Sequence, residues 1–507
     1  MAGALCDPRP SAWRFLQALL GSVSFSPSSA ILAATAGVIG VQLFKAIRRM
    51  FEKSVFPGPG MSFIIRLACM PLEDQFKEIL ALPQKFGRIC CLKTPFYQTL
   101  VVSDIVTYKD VMRRRPNEFS RIDFENFMDS VNMAMAEGAM WKEHRRVASR
   151  PLTEANLDTL VPMIISLGED LVGRLRKSAD RRGLVTWRPL GDAQMLGMRI
   201  ASAVYMGETD PVNSKYALFS YDVQDEVRRF IMDLLEISLK PTRVFYHDRL
   251  LYRVLFPGVR KFTQKWRNIN SELLEDIRLS QREPPRRCAM PKGLPHSARG
   301  QFNETELTHT LIMYFGAGGE TTASAIVRLI QYFCIYPEIQ ERARAEATSI
   351  EELSATSIEY MPFIEACLME TIRLNPSPPV AIVKALVDCK VAGEPIRKGT
   401  RVLFPLTLML RNEYNDGDEF RPGRWLEPTG DSIDEKQRAE FLGFGFGPRQ
   451  CPGRYLAVRE VLCIVALLLR GFNNFQLGEG NDALNFSSTL TICPNDLPVR
   501  LSCHEDA

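Results

Sequence analysis

The chain has little of what most metal, redox and nucleic-acid sites are made from. Its 507 residues include five histidines (144, 247, 296, 309 and 504), with no His-x-x-x-His pair and a single Glu-x-x-His, from Glu306 to His309. A zinc hydrolase wants the first pattern and a di-iron carboxylate bundle wants the second twice, so both classes are poorly supported. The twelve cysteines, at 6, 69, 90, 91, 288, 334, 367, 389, 451, 463, 493 and 503, form no Cys-x-x-Cys pair and follow no repeating interval. That scatter argues against zinc ribbons and disulfide scaffolds and suits a reducing compartment. A formal charge of +4 is weak for this length, so bulk charge gives no reason to expect nucleic acid. No glycine-rich fingerprint for a nicotinamide or flavin nucleotide is present.

Long apolar runs are also scarce. One, Ser28 to Phe44, is interrupted only by Ser29, Thr35 and Gln42 among its polar positions and is at the short end of what spans a bilayer. Lys45, Arg48, Arg49 and Lys53 follow it, which places the bulk of the chain on the cytosolic side. Phe56-Pro57-Gly58-Pro59-Gly60 then breaks the chain. Residues 1–55 therefore read as a membrane anchor with a basic flank, and 56–507 as the folded domain. An organelle transit peptide is the competing reading, since residues 1–29 are serine-rich and nearly acid-free; cleaved secretion fits poorly with so many unpaired cysteines.

What is present is mostly helical periodicity. Leu157, Leu160, Ile164, Leu167, Leu171 and Leu175 recur at spacings of three and four, and Phe230, Met232, Leu235 and Ile237 continue similarly. Two short strands are expected over 87–93 and 98–103 around a Pro95 turn, then a helix over 104–112. A proline- and arginine-rich linker covers 281–301, and a long helix over 304–336 stops before Pro337. Further helices are expected over 358–374 and 454–469, the latter apolar throughout, with strands from Val383 to Leu403 around an Ala392-Gly393-Glu394-Pro395 hairpin.

Chemistry concentrates in Phe444-Gly445-Phe446-Gly447-Pro448-Arg449-Gln450-Cys451-Pro452-Gly453. This stiff loop carries one cysteine to a helix N-terminus, where backbone N–H donors, the helix dipole and Arg449 favour a thiolate. Cys451 is therefore read as a metal ligand, against the plainer alternative of a structural cysteine in a tight turn. A second anomaly is Ala317-Gly318-Gly319-Glu320-Thr321-Thr322 inside the long helix. Each glycine there costs about 1 kcal/mol relative to alanine, so a distorted turn that makes room beside a cofactor is expected; close helix contact is the competing reason. Trp141 and Arg145 share a helix face, as do Glu370 and Arg373, but such pairs are common.

Taken together these segments resemble the cytochrome P-450 superfamily, of the eukaryotic membrane-anchored type. The cysteine loop matches Phe-x-x-Gly-x-Arg-x-Cys-x-Gly, and four more elements occur in the family's order. They are Trp141-x-x-x-Arg145, Ala317-Gly-Gly-Glu-Thr-Thr, Glu370-x-x-Arg373 and Phe420-Arg-Pro-Gly-Arg424-Trp. Gly423 departs from the usual glutamate, with little consequence expected.

The resemblance implies a mainly α fold with a smaller β region (α+β), with haem b (iron protoporphyrin IX) between the long helix and the helix after the cysteine. It makes Cys451 the axial ligand of the iron, shielded by Phe444, with Arg449, Trp141, Arg145 and Lys384 toward the propionates. Thr321 would hydrogen-bond the bound oxygen and Glu320 help deliver protons, while Glu370, Arg373 and Arg424 form a buried charged triad that locks the cysteine loop. The loop over 117–140, with Phe119, Phe124, Phe127, Met128, Met133 and Met135, would cover the substrate.

The implied activity is insertion of one oxygen atom from O2 into a hydrophobic molecule: a lipid, sterol, terpenoid or xenobiotic. Electrons would come from an NADPH-dependent flavoprotein reductase, with cytochrome b5 as a further partner of this kind, at the endoplasmic reticulum membrane. Arg145, Arg146, Arg449 and Arg454 would offer that partner positive charge. A haem-thiolate isomerase or dehydratase of hydroperoxides, or a non-catalytic haem sensor, are the alternatives; Thr321 counts against the first and the expected helix distortion against the second.

Overall fold

The computed structural model describes residues 54–70, 72–93, 98–121, 133–134, 136–207, 210–213, 302–478, 486–488, 492–494 and 497–503, besides 37, 40, 41, 217 and 271. Most of the expected anchor and all of its basic flank through Lys53, the Pro95 turn, half of the loop over 117–140, the stripe at 230–237 and the linker at 281–301 lie outside them. The chain divides into two units, Met1–Lys53 with Lys93–Tyr97, and Ser54–Leu92 with Gln98–Ala507; the second holds the core. Among the described residues no helix is long and apolar enough to cross a membrane.

The chain runs through α1 (Met61–Ala68), α2 (Leu72–Leu80), α3 (Leu82–Phe86), β1 (Ile89–Lys93), β2 (Gln98–Val102), α4 (Ile105–Arg113) and β3 (Phe119–Arg121). Then come α5 (Gly138–Ala148), α6 (Glu154–Lys177), β4 (Leu184–Trp187) and α7 (Pro189–Ala201), which continues into a π-turn at Ser202–Met206. After the long α8 (Glu304–Ile335) follow α9 (Pro337–Ser349), α10 (Pro362–Leu374), β5 (Val380–Ala385), β6 (Cys389–Val391), β7 (Glu394–Ile396) and β8 (Arg401–Pro405). The last elements are α11 (Leu406–Arg411), α12 (Glu435–Glu440), α13 (Arg454–Gly471), β9 (Asn474–Leu477), β10 (Phe486–Ser488), β11 (Ile492–Pro494) and β12 (Val499–Ser502).

Two layers follow from these sequences. The main core gathers the apolar stripe of α6, with Leu157, Leu160, Ile164, Leu167 and Leu171 all buried, against α8, α10 and α13. The other layer is a five-stranded sheet in the order β1-β2-β8-β5-β3, parallel between β2 and β8 and antiparallel from β8 to β5 to β3. Its second face packs a smaller core of Val383, Ala385, Val402 and Phe404 with α4 and α11. The β6–β7 hairpin turns on Ala392 (φ 51°) and Gly393 (φ 85°), two successive left-handed residues of the kind that match strand twist.

One boundary differs from expectation. The stretch over 358–374 is not one helix, because Pro362 removes an N–H and disfavours a helical residue before it, so Ser357–Tyr360 is a separate 3-10 turn and α10 starts at the proline. The long helix α8 behaves as expected at both ends: Asn303 and Glu306 form a capping box, and Pro337 opens the next helix.

A buried carboxylate ties these layers together. Glu370 on α10 is fully buried and accepts hydrogen bonds from Arg373 Nε (2.8 Å) and Nη2 (2.9 Å), Arg424 Nε (3.0 Å), Trp425 Nε1 (2.9 Å) and the Arg421 N–H (2.9 Å). Arg373 spends its other donors on the carbonyls of Gly417 (2.7 Å) and Glu419 (3.1 Å). Arg424 also meets Asp416 at 3.1 Å. The three residues expected to form a triad thus form one, extended by a tryptophan and by backbone. From it a run of edge-on rings, Trp425 to Phe441 (5.2 Å) and Phe441 to Phe444 (5.9 Å), leads into the cysteine loop. Glu370→Gln leaves Arg373 buried without its counter-charge and is expected to destabilise the protein by about 3–5 kcal/mol. The denaturant midpoint of the haem-loaded protein reads this out, and an unchanged midpoint would contradict it.

Candidate functional site

The loop before α13 is held by its own backbone. Gly445 (φ 81°) and Gly447 (φ 71°) take left-handed conformations that other residues resist, and the chain folds back so that the Cys451 N–H donates to the Phe444 carbonyl at 2.8 Å. Gly447–Arg449 forms a single 3-10 turn. Phe444 is half-buried against the main core, at the place expected of a shield for the sulfur.

Cys451 is solvent-accessible although protein surrounds it, as at the floor of a cleft. Burial raises its thiol above the ordinary value, and the Gly453 N–H, Arg145 and Arg454 only partly oppose that. The cations acting on the sulfur are Arg145 and Arg454 rather than Arg449, and burial outweighs them. A bound metal cation would supply the missing charge, since coordination deprotonates a thiol outright.

Arg449 is committed elsewhere. It ion-pairs with Glu137, donates to the Ala136 carbonyl (2.6 Å) and stacks on the Trp141 ring at 4.3 Å. Arg115 meets the same carboxylate at 2.5 Å, and the Arg121 N–H donates to it at 2.9 Å. Burial would raise the Glu137 carboxyl, yet Arg115, the Arg121 N–H and Arg449 hold it below the usual range. Burial pushes Arg449 down to about 10, and repulsion from Arg115 adds to it. Among the described residues Arg115 and Arg449 thus share one carboxylate, which leaves a positive charge unbalanced there, with the exposed Arg121 side chain near by. The indole N–H of Trp141 has no hydrogen-bond partner among the described residues, and Arg145, one turn further along α5, is half-buried. Two carboxylates presented together would satisfy this set, and the two propionates of haem b have that chemistry.

The opposite wall is α8. Ala317 is exposed in mid-helix, Gly316, Gly318 and Thr321 are partly open, and the next residues Gly319, Glu320 and Thr322 are buried. The expected distorted turn is absent: α8 is continuous, and the Thr321 hydroxyl donates to the Ala317 carbonyl at 2.7 Å, closing on its own helix. Gly319 has a packing reason instead. A Cβ there would lie 2.4 Å from Met198 Cε, and one at Gly197 would lie 2.9 Å from the Gly319 Cα, so α7 and α8 cross with backbone nearly touching. A Cβ at Gly318 would meet nothing within 4 Å; that glycine borders the opening. Tyr314 of α8 stacks on Tyr205 at 4.1 Å, and both hydroxyls feel the Cys451 sulfur, which places α8 beside the cysteine.

Arg449 and Trp141 thus meet beside the cysteine loop, Arg145 acts on the Cys451 sulfur, and α8, which carries Glu320 and Thr321, runs beside the cysteine. Lys384 lies on β5, in register with Ser120 and Arg401, on the strand that pairs with the one carrying Arg121, while its neighbours Val383 and Ala385 are buried in the sheet's core. It is not among the cations that act on Glu137. The proposed cationic surface is also reduced: Arg449 is buried and paired, Arg146 pairs with Glu143, and Arg454 contacts Gln450 and Tyr455. Sequence reading missed Arg115, Arg121 and Glu137, because ordinary charged residues more than 300 positions from Arg449 give no local signal. It also missed Glu460, which had one: a carboxylate in the apolar stripe of α13, between Leu456 and Ile464.

Comparison with known proteins agrees with this site. A family model described as Cytochrome P450 matches residues 57–494. Cytochrome P450 2J1 of Oryctolagus cuniculus is 25% identical over 94% of this chain and 96% of its own length. The geranylhydroquinone 3''-hydroxylase CYP76B74 of Arnebia euchroma is 24% identical over 86% of this chain and 90% of its own. Cytochrome P450 monooxygenase sphH of Aspergillus fumigatus is 32% identical over a shorter part, 39% of this chain and 38% of its own. Among solved structures, the cyanobacterial CYP120A1 with retinoic acid bound superposes with a TM-score of 0.69 at 19% identity, over 85% of this chain and 94% of that one. A zebra fish cytochrome P450 crystallised with abiraterone gives 0.66 at 21%, over 85% and 99%. With the mainly helical architecture and the cleft over Cys451, these matches establish that the chain belongs to the cytochrome P450 family of haem-thiolate monooxygenases.

Proposed function

We propose that the cleft over Cys451 holds haem b and inserts one oxygen atom from O2 into a hydrophobic small molecule, such as a lipid, sterol, terpenoid or xenobiotic. The observation that carries this is an accessible sulfur acted on by Arg145 and Arg454, on a loop whose Arg449 shares the one carboxylate of Glu137 with Arg115. When bound, the haem supplies oxygen activation, and an electron-rich sulfur ligand favours cleavage of the O–O bond.

The chain's own residues do the rest. Cys451 provides the ligand, and the Gly453 N–H with Arg145 and Arg454 stabilises charge on its sulfur. Arg449, Arg121 and Arg115, with the indole N–H of Trp141, receive two carboxylates, and Arg145 lies close enough to join them; Glu137 keeps the guanidiniums aimed. Thr321, by turning its hydroxyl from the Ala317 carbonyl into the opening beside Gly318, holds a proton where oxygen is activated, and Glu320 behind it resupplies that proton. Electrons come from NADPH through a separate flavoprotein reductase, with cytochrome b5 as a further donor, because the sequence carries no nicotinamide or flavin fingerprint. The relative that hydroxylates a geranylated ring and the neighbour that binds retinoic acid favour an isoprenoid-like substrate. Residues 1–55 anchor the catalytic domain, 56–507, to the endoplasmic reticulum membrane facing the cytosol.

Ferrous protein with carbon monoxide is expected to show the absorption typical of thiolate ligation, and Cys451→Ala to abolish it; a histidine-type spectrum would overturn the assignment. Arg121→Ala removes one charge-assisted contact, and loss of haem to an excess of acceptor apoprotein should quicken by about 10- to 150-fold, the equivalent of about 1.5–3 kcal/mol. With a substrate chosen by its ferric spectral shift, Thr321→Ala should cut product formation about 10²-fold while NADPH consumption continues. Unchanged coupling would remove Thr321 from proton delivery.

A further inference from the structure

Tyr332 stands about three turns beyond Thr321 on α8, a single unbroken helix. Its ring lies flat on that of Phe420, with centroids 4.1 Å apart and planes 6° from parallel. Tyr336, one turn further on, meets the same ring at 5.6 Å. Phe420 is only 4% exposed, so the stack confines it. The Tyr332 hydroxyl is engaged as well, accepting from the Asn375 amide at 2.7 Å. Asn375 ends α10, where its own N–H closes on the Thr371 carbonyl at 2.9 Å.

These two contacts reach different elements. Asn375 belongs to the end of α10, the helix of Glu370 and Arg373. Phe420 belongs to the segment after α11 and immediately precedes Arg421, whose N–H is one of the donors to Glu370. From α8, Tyr332 thus grips both of the elements that meet at Glu370. Contacts run on from there to the cysteine. Trp425 Nε1 donates to Glu370, Trp425 meets Phe441, Phe441 meets Phe444, and the Phe444 carbonyl accepts the Cys451 N–H. A shorter link lies beside this one. A Cβ at Gly443 would be 2.6 Å from Ile372 Cγ2 and 2.3 Å from Phe441 Cζ, so α10 presses directly on the start of the loop.

We propose that Tyr332 is a positioning residue for the sulfur ligand: it holds the two elements joined at Glu370 and so registers the Cys451 loop against the same unbroken helix that carries Thr321. The inference rests on the reading of Cys451 as the iron ligand. A flat ring contact resists tilt, and the hydrogen bond at the hydroxyl resists withdrawal, so together they fix the tyrosine in angle and depth. Without the ring, Phe420 is free to shift, and the Arg421 N–H shifts with it because the two share a peptide bond. Glu370 then loses a donor that its buried charge needs. The slack passes through Trp425 and Phe441 to the loop.

The test uses the haem-loaded full chain and compares wild type with Tyr332→Ala, Phe420→Ala, the two together, Tyr332→Phe, and Leu501→Ala, a control at a buried leucine of β12 outside these contacts. One readout is the iron–sulfur stretching band in the ferric resonance Raman spectrum. The other is hydrogen exchange in the peptide over 444–453, which requires no iron–sulfur bond. Tyr332→Ala and Phe420→Ala should each shift or broaden the band and speed exchange in that peptide by about 2- to 12-fold, the range that one stacked aromatic pair implies. The double variant should go little further than either, because both remove the same contact. Tyr332→Phe keeps the stack without the hydroxyl and should fall between wild type and Tyr332→Ala. Leu501→Ala should lower the denaturant midpoint while leaving the band and the loop's exchange in place. If Tyr332→Ala matches that control in both readouts, the proposal is overturned, as it is if the two alanine effects simply add. If the wild type shows no iron–sulfur band, the ligand assignment for Cys451 falls, while exchange still decides whether Tyr332 holds the loop.

Discussion

The candidate site depends on one fully buried carboxylate, that of Glu370. A charge removed from water survives only if every lone pair is engaged, and five donors from α10 and the segment after α11 engage this one. Because those donors come from residues 51 to 55 positions further along the chain as well as from Arg373, satisfying Glu370 fixes the path of an irregular segment that has little regular structure of its own. Trp425, Phe441 and Phe444 then carry that constraint to the cysteine loop as packed rings. A loop held this way can present a sulfur in a fixed direction without a strand or helix beneath it.

A second principle, unpaired charge, governs the cleft. Among the described residues Arg115 and Arg449 share the one carboxylate of Glu137, an excess of positive charge that an anion would offset. Burial raises the Cys451 thiol, which a bound cation would oppose. The two needs are opposite in sign and lie two residues apart along one loop. A metal macrocycle with carboxylate arms meets both at once, which gives the cofactor a share in the stability of the fold.

The wall formed by α8 shows that one motif can serve two ends. Gly319 allows α7 and α8 to approach at backbone distance, whereas Gly318 leaves space at the opening, and Thr321 rests on its own helix rather than bending it. An unbroken helix is stiffer than a distorted one, so the role proposed for Thr321 requires rotation of its hydroxyl rather than a gap in the backbone.

Local patterns were enough for the family, the mainly helical class, the stiff loop that carries Cys451 and the Glu370–Arg373–Arg424 triad. Each depends on residues close in sequence or on a motif whose spacing is dictated by the helix or the turn. Tertiary structure alone decided the rest. Arg115, Arg121 and Glu137 acquire meaning only when the segments before α5 meet the cysteine loop more than 300 residues later. The engagement of Arg449 with Glu137 and the raised thiol of Cys451 depend on desolvation, which is a property of packed surroundings. A sequence names the groups that can carry charge; only the fold determines how far each is removed from water and which partner it finds there.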